Sequence, residues 1–383
     1  MPTGLYGKWK IMKKYLSILI VVVLMIALVS CGYEISIQKK TTDQVGSNNS
    51  KDDIIHESEG LGFALNDDSK SYCVTGIGTC TDTDIVIPST HNGLPVTRIA
   101  SYAFQARTSI TSIVIPDSIT SIGDSVFYGC TSLTSVDIGD SVTSIDYFTF
   151  SLCTSLASIE VDVNNQYYKS IDGNLYSKDG KTLIKYAIGK EAELFCVPDS
   201  VMSIGSYAFM HSTTLTSVEV PYSVTSIGER AFSWCTSLKS IEVDTRNQYY
   251  KSIDGNLYTK DGTTLIRYTS AQETTLFRIP DSVISIGDSA FIGCTYITNI
   301  EIPDSVTGVG YMAFYGCTSL KNIRIGNSLT SIGVWAFGGC TSLASINFAG
   351  TVDQWNSIFK NFQWLDGFPT NGIVCSDGVV TTE

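Results

Sequence analysis

Apolar and polar residues alternate along much of this chain in a short unit that returns every 23 residues. Within 133–138, Leu133, Val136 and Ile138 alternate with polar residues, which predicts a short strand with one buried face. A turn of the type Pro-Asp-Ser follows, and then a second short apolar pair. Next come a glycine in register, which indicates positive φ or close backbone packing, and a small residue before phenylalanine, which predicts a helical turn.

Phenylalanines mark the repeat along the chain. They stand at Phe104, Phe127, Phe150, Phe209, Phe232, Phe291, Phe314 and Phe337. Five of the seven intervals are 23 residues, and the other two are 59, which is one unit plus 36 residues. Both longer intervals contain nearly the same segment, at 161–186 and 243–268. Its Asp-Gly pairs favour hairpin turns, so we predict two inserted β-meander modules, near 161–193 and 243–275, that fold back on the array.

A unit of 23 residues cannot bury its apolar side alone, so the repeat predicts a β-rich α/β solenoid whose core is a continuous column. Parallel strands of neighbouring coils then pair about 4.8 Å apart. We predict the solenoid over 94–348 and a C-terminal cap over 349–383. An N-terminal β-hairpin cap is predicted over 59–93, around Gly76 and Gly78, because an open solenoid end exposes core and strand edge.

The C-terminal cap carries a helical pattern. Trp355, Ile358, Phe359 and Phe362 fall at positions i, i+3, i+4 and i+7, which predicts an amphipathic helix. The segment 373–378 predicts a strand that closes the array.

The first 31 residues follow the pattern of an export signal. Lys13 and Lys14 precede an apolar run, 16–29, which is shorter than the roughly 20 residues that cross a bilayer. The order Leu-Val-Ser-Cys that ends at Cys31 resembles the bacterial lipobox, in which the cysteine is diacylated. An ordinary signal peptide with a chance cysteine is the alternative. The pattern also places the start of translation at Met12.

The segment after this signal, 32–58, is rich in Lys, Asp, Ser, Asn and Thr, a composition that predicts a flexible tether. Since the signal holds four lysines and no acid, the remaining chain has 21 basic and 37 acidic side chains, a net charge of −16. That balance argues against nucleic acid as a partner, because such binding needs clustered Lys and Arg.

Over 94–348 the fuller pattern combines Ile-Pro-Asp-Ser-Val, Ser-Ile-Gly, Ala-Phe and Gly-Cys-Thr-Ser-Leu. It resembles the BspA-type bacterial leucine-rich repeat, and the segment YYKSIDGNLYSKDGKTLI is similar to a module common among those proteins. The resemblance implies a leucine-rich-repeat solenoid. It also implies a surface lipoprotein that attaches to host matrix proteins or to other cells.

Six cysteines form a column, each three residues after its phenylalanine: Cys130, Cys153, Cys235, Cys294, Cys317 and Cys340. A catalytic nucleophile is needed once, and the sequence shows no spacing typical of a metal site. Parallel stacked side chains suit disulfide geometry poorly, so we predict packed thiols. A cross-strand disulfide between Cys73 and Cys80 stays open. We predict no catalytic residue, no metal and no cofactor.

The outward positions of the predicted strands form the candidate binding face. The middle residue of each Ile-x-Ile strand gives a column of Asp137, Glu160, Glu219, Glu242, Arg278, Glu301, Arg324 and Asn347, with Val114 and Cys196 at the same position. A second outward column includes Ser135, Ser158, Ser217 and Ser240. Acids on adjacent strands repel one another, and a basic ligand or cations would relieve that cost. A merely solvated face is the alternative.

These patterns together predict a non-enzymatic, lipid-anchored surface protein that binds through this face. The expected partners are extracellular proteins or glycans and the membrane, through acylated Cys31. Two alternatives are a repeat scaffold within a glycan- or peptide-processing lipoprotein and a passive envelope protein.

Overall fold

The computed structural model describes residues 56–269, 275–365 and 372–381. The predicted signal with Cys31 lies outside the described residues, and so does most of the predicted tether. None of the helices in the described part of the chain is long and apolar enough to span a membrane.

Short strands make up nearly all the regular structure of these ranges. In chain order the elements are β1 Gly62–Leu65, β2 Tyr72–Gly76, β3 Asp84–Val86, β4 Thr90–His91, β5 Leu94–Ile99, β6 Ser112–Ile115, β7 Ser121–Ile122, β8 Ser135–Ile138, β9 Ser158–Val161, β10 Tyr168–Ile171, β11 Asn174–Ser177, β12 Thr182–Lys185, β13 Leu194–Cys196, β14 Ser203–Ile204, β15 Ser217–Val220, β16 Ser226–Ile227, β17 Ser240–Val243, β18 Tyr250–Ile253, β19 Asn256–Thr259, β20 Thr264–Arg267, β21 Leu276–Arg278, β22 Ser285–Ile286, β23 Asn299–Ile302, β24 Gly308–Val309, β25 Asn322–Ile325, β26 Ser331–Ile332, β27 Ser345–Phe348, α1 Val352–Ser357, β28 Phe359–Lys360, β29 Ile373–Val374 and β30 Val379–Val380.

Successive coils place their strands side by side, parallel and in register. Ile113 lies opposite Val136, and Val136 lies opposite Ile159, each one repeat further along the chain. These side chains are buried, whereas the next residues, Asp137 and Glu160, are exposed, as strand alternation requires. We define the front strands as β3, β6, β8, β9, β13, β15, β17, β21, β23, β25, β27 and β29. The shorter back strands are β7, β12, β14, β16, β20, β22, β24, β26 and β28. The 23-residue unit is therefore one coil of a solenoid.

The phenylalanines form a buried column inside the coils. Phe127 stacks on Phe104 with ring centroids 5.8 Å apart, and Phe314 stacks on Phe291 at 4.6 Å. All four rings are fully shielded from solvent. A buried side chain of this size contributes roughly 1.5–3 kcal/mol, which a single coil cannot gain alone.

The two longer intervals each contain a complete coil, so the prediction of inserted modules that fold back on the array is not confirmed. β12 pairs in parallel with β14, with Leu183 opposite Ile204, and so occupies the place of a back strand. Tyr186 takes the place of phenylalanine in the column, 5.4 Å from the ring of Phe209. Tyr268 repeats this arrangement in the second copy. We call these the first and the second variant coil.

What each variant coil adds is an antiparallel hairpin, β10–β11 in the first and β18–β19 in the second. The tip of the first hairpin covers the edge of front strand β9. The amide of Ile159 donates to the carbonyl of Gly173 at 2.9 Å, and the Ser170 hydroxyl donates to the Ile159 carbonyl at 2.7 Å. Ile241 has the same contacts in the second variant coil. The hairpin therefore takes the hydrogen bonds that a neighbouring front strand would have made.

Two kinds of glycine act in each ordinary coil, for different reasons. Gly123, four residues before Phe127, has no positive φ, but a Cβ there would lie 2.4 Å from the amide nitrogen of Ser101. Close packing of backbones between coils thus requires it. Gly129, in the turn that carries Cys130, has φ +75°, a conformation that costs glycine little.

The N-terminal cap differs from its prediction. β1 and β2 form an antiparallel hairpin, but the connecting turn lies at 66–71 rather than around Gly76 and Gly78. Cys73 therefore lies opposite Ala64, and Cys73 and Cys80 are both free thiols. The cross-strand disulfide is not formed because Cys80 follows the strand instead of facing Cys73.

A long helical C-terminal cap is likewise not confirmed. Helix α1 begins after a capping box at Thr351 and contains buried Trp355, but the chain turns extended at Ile358, with ψ 129°. Phe359 lies in β28, which pairs with β26, and Phe362 is 78% exposed. Continuing the helix would have left the last back strand unpaired, so the chain covers that edge instead.

Candidate binding face

The front strands direct the predicted site residues to solvent. Asp137, Glu160, Glu219, Glu242, Arg278, Arg324 and Asn347 are exposed, and Glu301 is half-buried. The residues on either side of them belong to the core, so each side chain stands on a rigid backbone. The predicted second column, Ser135, Ser158, Ser217 and Ser240, is half-buried on the same side of the sheet.

The column is interrupted, contrary to the expectation of one stack. Front strands pair in three groups among the described residues: β3, β6, β8 and β9; then β13, β15 and β17; then β21, β23, β25, β27 and β29. We call them the first, middle and third blocks. Glu160 therefore has no strand partner at Cys196, and Glu242 has none at Arg278. The hairpins of the variant coils cause both breaks, because they occupy the edges of β9 and β17.

The middle block is acidic. Glu219 lies directly opposite Glu242 on paired strands. A shallow depression of about 320 Å³ contains both carboxylates together with Asp199 and Asp244. Asp244 is engaged by Arg246 at 2.6 Å, which lowers the pKa of this carboxyl to about 2. Like charges on facing strand positions destabilise a sheet, so this block holds unrelieved repulsion.

One thiol is exposed in the middle block. The Sγ of Cys196 lies 3.4 Å from an oxygen of Glu219. Partial burial, with the adjacent carboxylate, raises the pKa of Cys196, so the group is a neutral hydrogen-bond donor near pH 7. Cys196 therefore adds no negative charge to the block.

The third block has mixed charge. The Arg278 Nε donates to the Glu301 carboxylate at 2.8 Å across neighbouring strands. An exposed pair of this kind contributes about 0–1 kcal/mol. Arg324 shares a depression of about 200 Å³ with both residues. Acids and bases thus compensate each other here, and the negative potential of the face is concentrated in the middle block.

In the first block, partial burial and then the neighbouring Glu160 raise the pKa of Asp137. This is the repulsion between adjacent acids that the sequence predicts. The block holds fewer acids than the middle block, because Val114 occupies the next strand.

The second column bonds to itself rather than presenting free groups. The hydroxyls of Ser217 and Ser240 lie 3.1 Å apart. In the third block the amide of Asn322 donates to the Asn299 oxygen at 2.9 Å, and Ser345 donates to Asn322. The column therefore ties neighbouring strands together, a role that sequence reasoning missed.

The cysteine column has a structural role that the pattern only partly revealed. The thiols are buried, and each donates to the phenylalanine carbonyl of the preceding coil, as Cys130 does to Phe104 at 3.0 Å and Cys317 to Phe291 at 3.2 Å. Burial raises the pKa of Cys130 to about 11 and that of Cys153 to about 12. These thiols are free in the structure, and protonated thiols are poor nucleophiles and poor metal ligands.

A buried asparagine in each variant coil was also missed. The Asn165 side chain donates to the carbonyls of Gly139 and Val142 and accepts from the amides of Tyr167 and Tyr168. Its place before the two tyrosines recurs in the second variant coil, and that recurrence was the available signal. In the described ranges, no group of three or more His, Cys, Asp or Glu side chains is arranged to hold a metal ion.

Comparison with solved structures returns bacterial leucine-rich-repeat proteins. A leucine rich cell surface protein from Faecalibacterium prausnitzii is 26% identical, with a TM-score of 0.45, over 82% of this chain and 98% of that one. The pneumococcal vaccine antigen PcpA is 21% identical, with a TM-score of 0.44, over 81% and 83%. A leucine-rich repeat protein from Bacteroides ovatus is 22% identical, with a TM-score of 0.39, over 80% and 97%. Comparison with curated proteins gives no match.

The repeat itself identifies the family. The pattern of the BspA type leucine rich repeat region matches residues 78–178, 189–264 and 266–370, in six copies. These ranges cover most of the solenoid, including both variant coils. The chain therefore belongs to the family of proteins with a BspA type leucine rich repeat region.

Proposed function

We propose that this protein is a lipid-anchored cell-surface receptor that holds a basic segment of an extracellular protein on the middle block of its front strands. Proteins of this repeat family are often surface-associated and act by binding. The observation that carries the proposal is the opposition of Glu219 and Glu242 within a depression that also contains Asp199. In the described residues none of these three carboxylates forms an ion pair.

The chemistry of the block favours a basic protein segment as partner. A lysine or arginine that reaches the depression removes the repulsion between Glu219 and Glu242 and gains a charge-assisted hydrogen bond. The carboxylates project from paired strands one coil apart, which fixes their spacing before the partner arrives. Preorganised charges of this kind also steer encounter and give specificity. A neutral glycan gains none of this, so we place glycans second.

Charge reversal in the middle block tests the proposal. The variant Glu219→Lys/Glu242→Lys is titrated against lysine-rich segments of extracellular matrix proteins, with wild-type protein beside it. We expect at least about a ten-fold loss of affinity, which is about 1.4 kcal/mol. Raising the salt concentration weakens wild-type binding and narrows the difference.

The matched control is Asp67→Lys/Asp124→Lys, which changes the net charge equally at exposed positions away from the front strands. It retains affinity if the middle block is the site. Equal losses in both double variants would show a general charge effect and would remove the site from the middle block. Circular dichroism verifies that both variants are folded.

The lipid anchor is a separate part of the proposal and rests on the Leu-Val-Ser-Cys sequence that ends at Cys31. Two or more acyl chains give stable membrane attachment, whereas one chain gives only marginal binding. The variant Cys31→Ala, or inhibition of the lipoprotein signal peptidase with globomycin, releases or mislocalises the protein in this account. Unchanged membrane partition and unchanged lipid labelling would contradict the anchor and leave the binding face untouched.

A further inference from the structure

We propose a second ligand site: a cleft in the second variant coil that binds a carboxylate group through the buried guanidinium of Arg267. The cleft has a volume of about 260 Å³ and lies away from the outward side chains of the front strands. Its walls include Ile227, Arg230, Phe232 and Ser289.

Arg267 is almost entirely buried, at 3% exposure, yet only part of its guanidinium is bonded. The Nη1 donates to the carbonyls of Ser289, at 3.1 Å, and Ile292, at 3.2 Å. The Nε and Nη2 are buried without a hydrogen-bond partner. These two nitrogens form one planar edge of the guanidinium, the fork that binds both oxygens of a carboxylate at once.

The Ser289 hydroxyl is a third buried donor without a partner in the wall of the cleft. Taking a charge out of water is costly unless an opposite charge and hydrogen bonds compensate it. No acidic side chain of the described ranges forms an ion pair with Arg267. A bound carboxylate supplies both the missing charge and the missing acceptors.

The first variant coil provides an internal comparison, since its residues stand 82 positions earlier. There Lys185 replaces Arg267, and its amine donates to the Tyr207 carbonyl at 3.3 Å, which corresponds to the carbonyl of Ser289. Tyr207 replaces Ser289, and its ring packs on Phe148 at 4.7 Å. An aromatic cluster thus lies where the second variant coil has the cleft. Arginine and the small serine are the two differences that create the site.

The remaining walls limit the class of ligand. Ile227 and Phe232 offer apolar surface to a short hydrocarbon body. Glu229 and Asp288 line the same cleft and disfavour a doubly charged anion such as phosphate. The chemistry is therefore that of a monocarboxylate with a small apolar body, either a free short acid or the C-terminus of a peptide.

The test measures binding to the full-length protein by ligand-observed NMR titration with butyrate, its neutral isostere butyramide, and inorganic phosphate. An acetylated dipeptide with a free or an amidated C-terminus separates chain termini from free acids. We expect butyrate, or the dipeptide with the free terminus, to bind at least about ten-fold more tightly than its amide.

Two variants copy the first variant coil and so have a precedent in this fold. Arg267→Lys removes the planar fork and should weaken carboxylate binding at least ten-fold. Ser289→Tyr should abolish it by filling the cleft; Tyr207 already has the φ of 58° that Ser289 has at 56°. The variant Glu219→Lys/Glu242→Lys should bind the carboxylate as wild type does, which separates this site from the proposed receptor face.

Equal binding of butyrate and butyramide would overturn the site, as would absence of binding by every carboxylate probe. Phosphate binding more tightly than butyrate would refute the ligand class. Undiminished affinity in both Arg267→Lys and Ser289→Tyr would place the carboxylate elsewhere on the protein.

Discussion

Removing the ring of Phe314 tests the physical basis of the fold. Phe314 is fully buried between Phe291, at 4.6 Å, and Phe337, at 5.0 Å. Replacing a core phenylalanine with alanine costs about 3–5 kcal/mol, and each lost aromatic pair contributes about 0.5–1.5 kcal/mol of such a change. With two stacked neighbours, Phe314→Ala should fall at the upper end, near 5 kcal/mol.

Phe104 and Tyr296 calibrate that number. Phe104 stacks on one phenylalanine, Phe127, at the longer distance of 5.8 Å, so Phe104→Ala should cost about 1 kcal/mol less. Tyr296 is 54% exposed, and Tyr296→Ala should change the free energy of unfolding by no more than about 0.5 kcal/mol. Urea denaturation followed by circular dichroism measures all three.

Hydrogen exchange adds the spatial part of the same prediction. Because each coil contacts only its neighbours, the loss of protection in Phe314→Ala should concentrate in the coils of Phe291, Phe314 and Phe337. The coil of Phe127 should keep its protection. A cost below about 1 kcal/mol, or loss of protection spread evenly along the chain, would refute a core built from stacked nearest neighbours.

Two further predictions concern buried groups. In native protein at pH 8, an alkylating reagent should modify exposed Cys196 first, and Cys130 and Cys153 only on unfolding, since burial raises their pKa to about 11 and 12; equally fast reaction of all three would contradict the packed column. Burial lowers the pKa of Lys185 from 10.5 to about 8, so the folded state binds fewer protons than the unfolded state between these values. Wild type should therefore gain stability relative to Lys185→Met as the pH rises from about 8 to about 10.5, by about 3 kcal/mol in urea denaturation, and a flat difference would show that the amine is not buried.

Much of the solenoid follows from the sequence because the physics repeats with the residues. Strand alternation places Val136 inside and Asp137 outside in each coil, and the 23-residue step brings equivalent positions together. The variant coils were harder to interpret, because Tyr186 fills a position marked elsewhere by phenylalanine. A search by residue type therefore sees an insertion where the structure has a coil.

Details that depend on competition between alternatives were beyond the pattern. The helical spacing that includes Phe359 is real, yet an unpaired back-strand edge draws this residue into β28. The site suffers from the same limitation. Glu160 and Cys196 are neighbours by position in the repeat, but the hairpin contacts of Ile159 separate their strands. Nothing in the spacing indicates that Arg267 is buried with two nitrogens unbonded, because charged residues at back-strand ends are usually exposed.

The exposed thiol of Cys196 allows the most direct test of the receptor face, since it lies 3.4 Å from Glu219 in the middle block. A photoactivatable group attached to Cys196 should cross-link a lysine-rich peptide, and should cross-link an acidic peptide of the same length far less. The same treatment of Cys196→Ser protein reports labelling at other thiols. Cross-linking of the basic peptide that depends on both Cys196 and the Glu219/Glu242 pair is the predicted result. Equal cross-linking of the two peptides, or capture that persists in Cys196→Ser, would contradict a basic partner on the middle block.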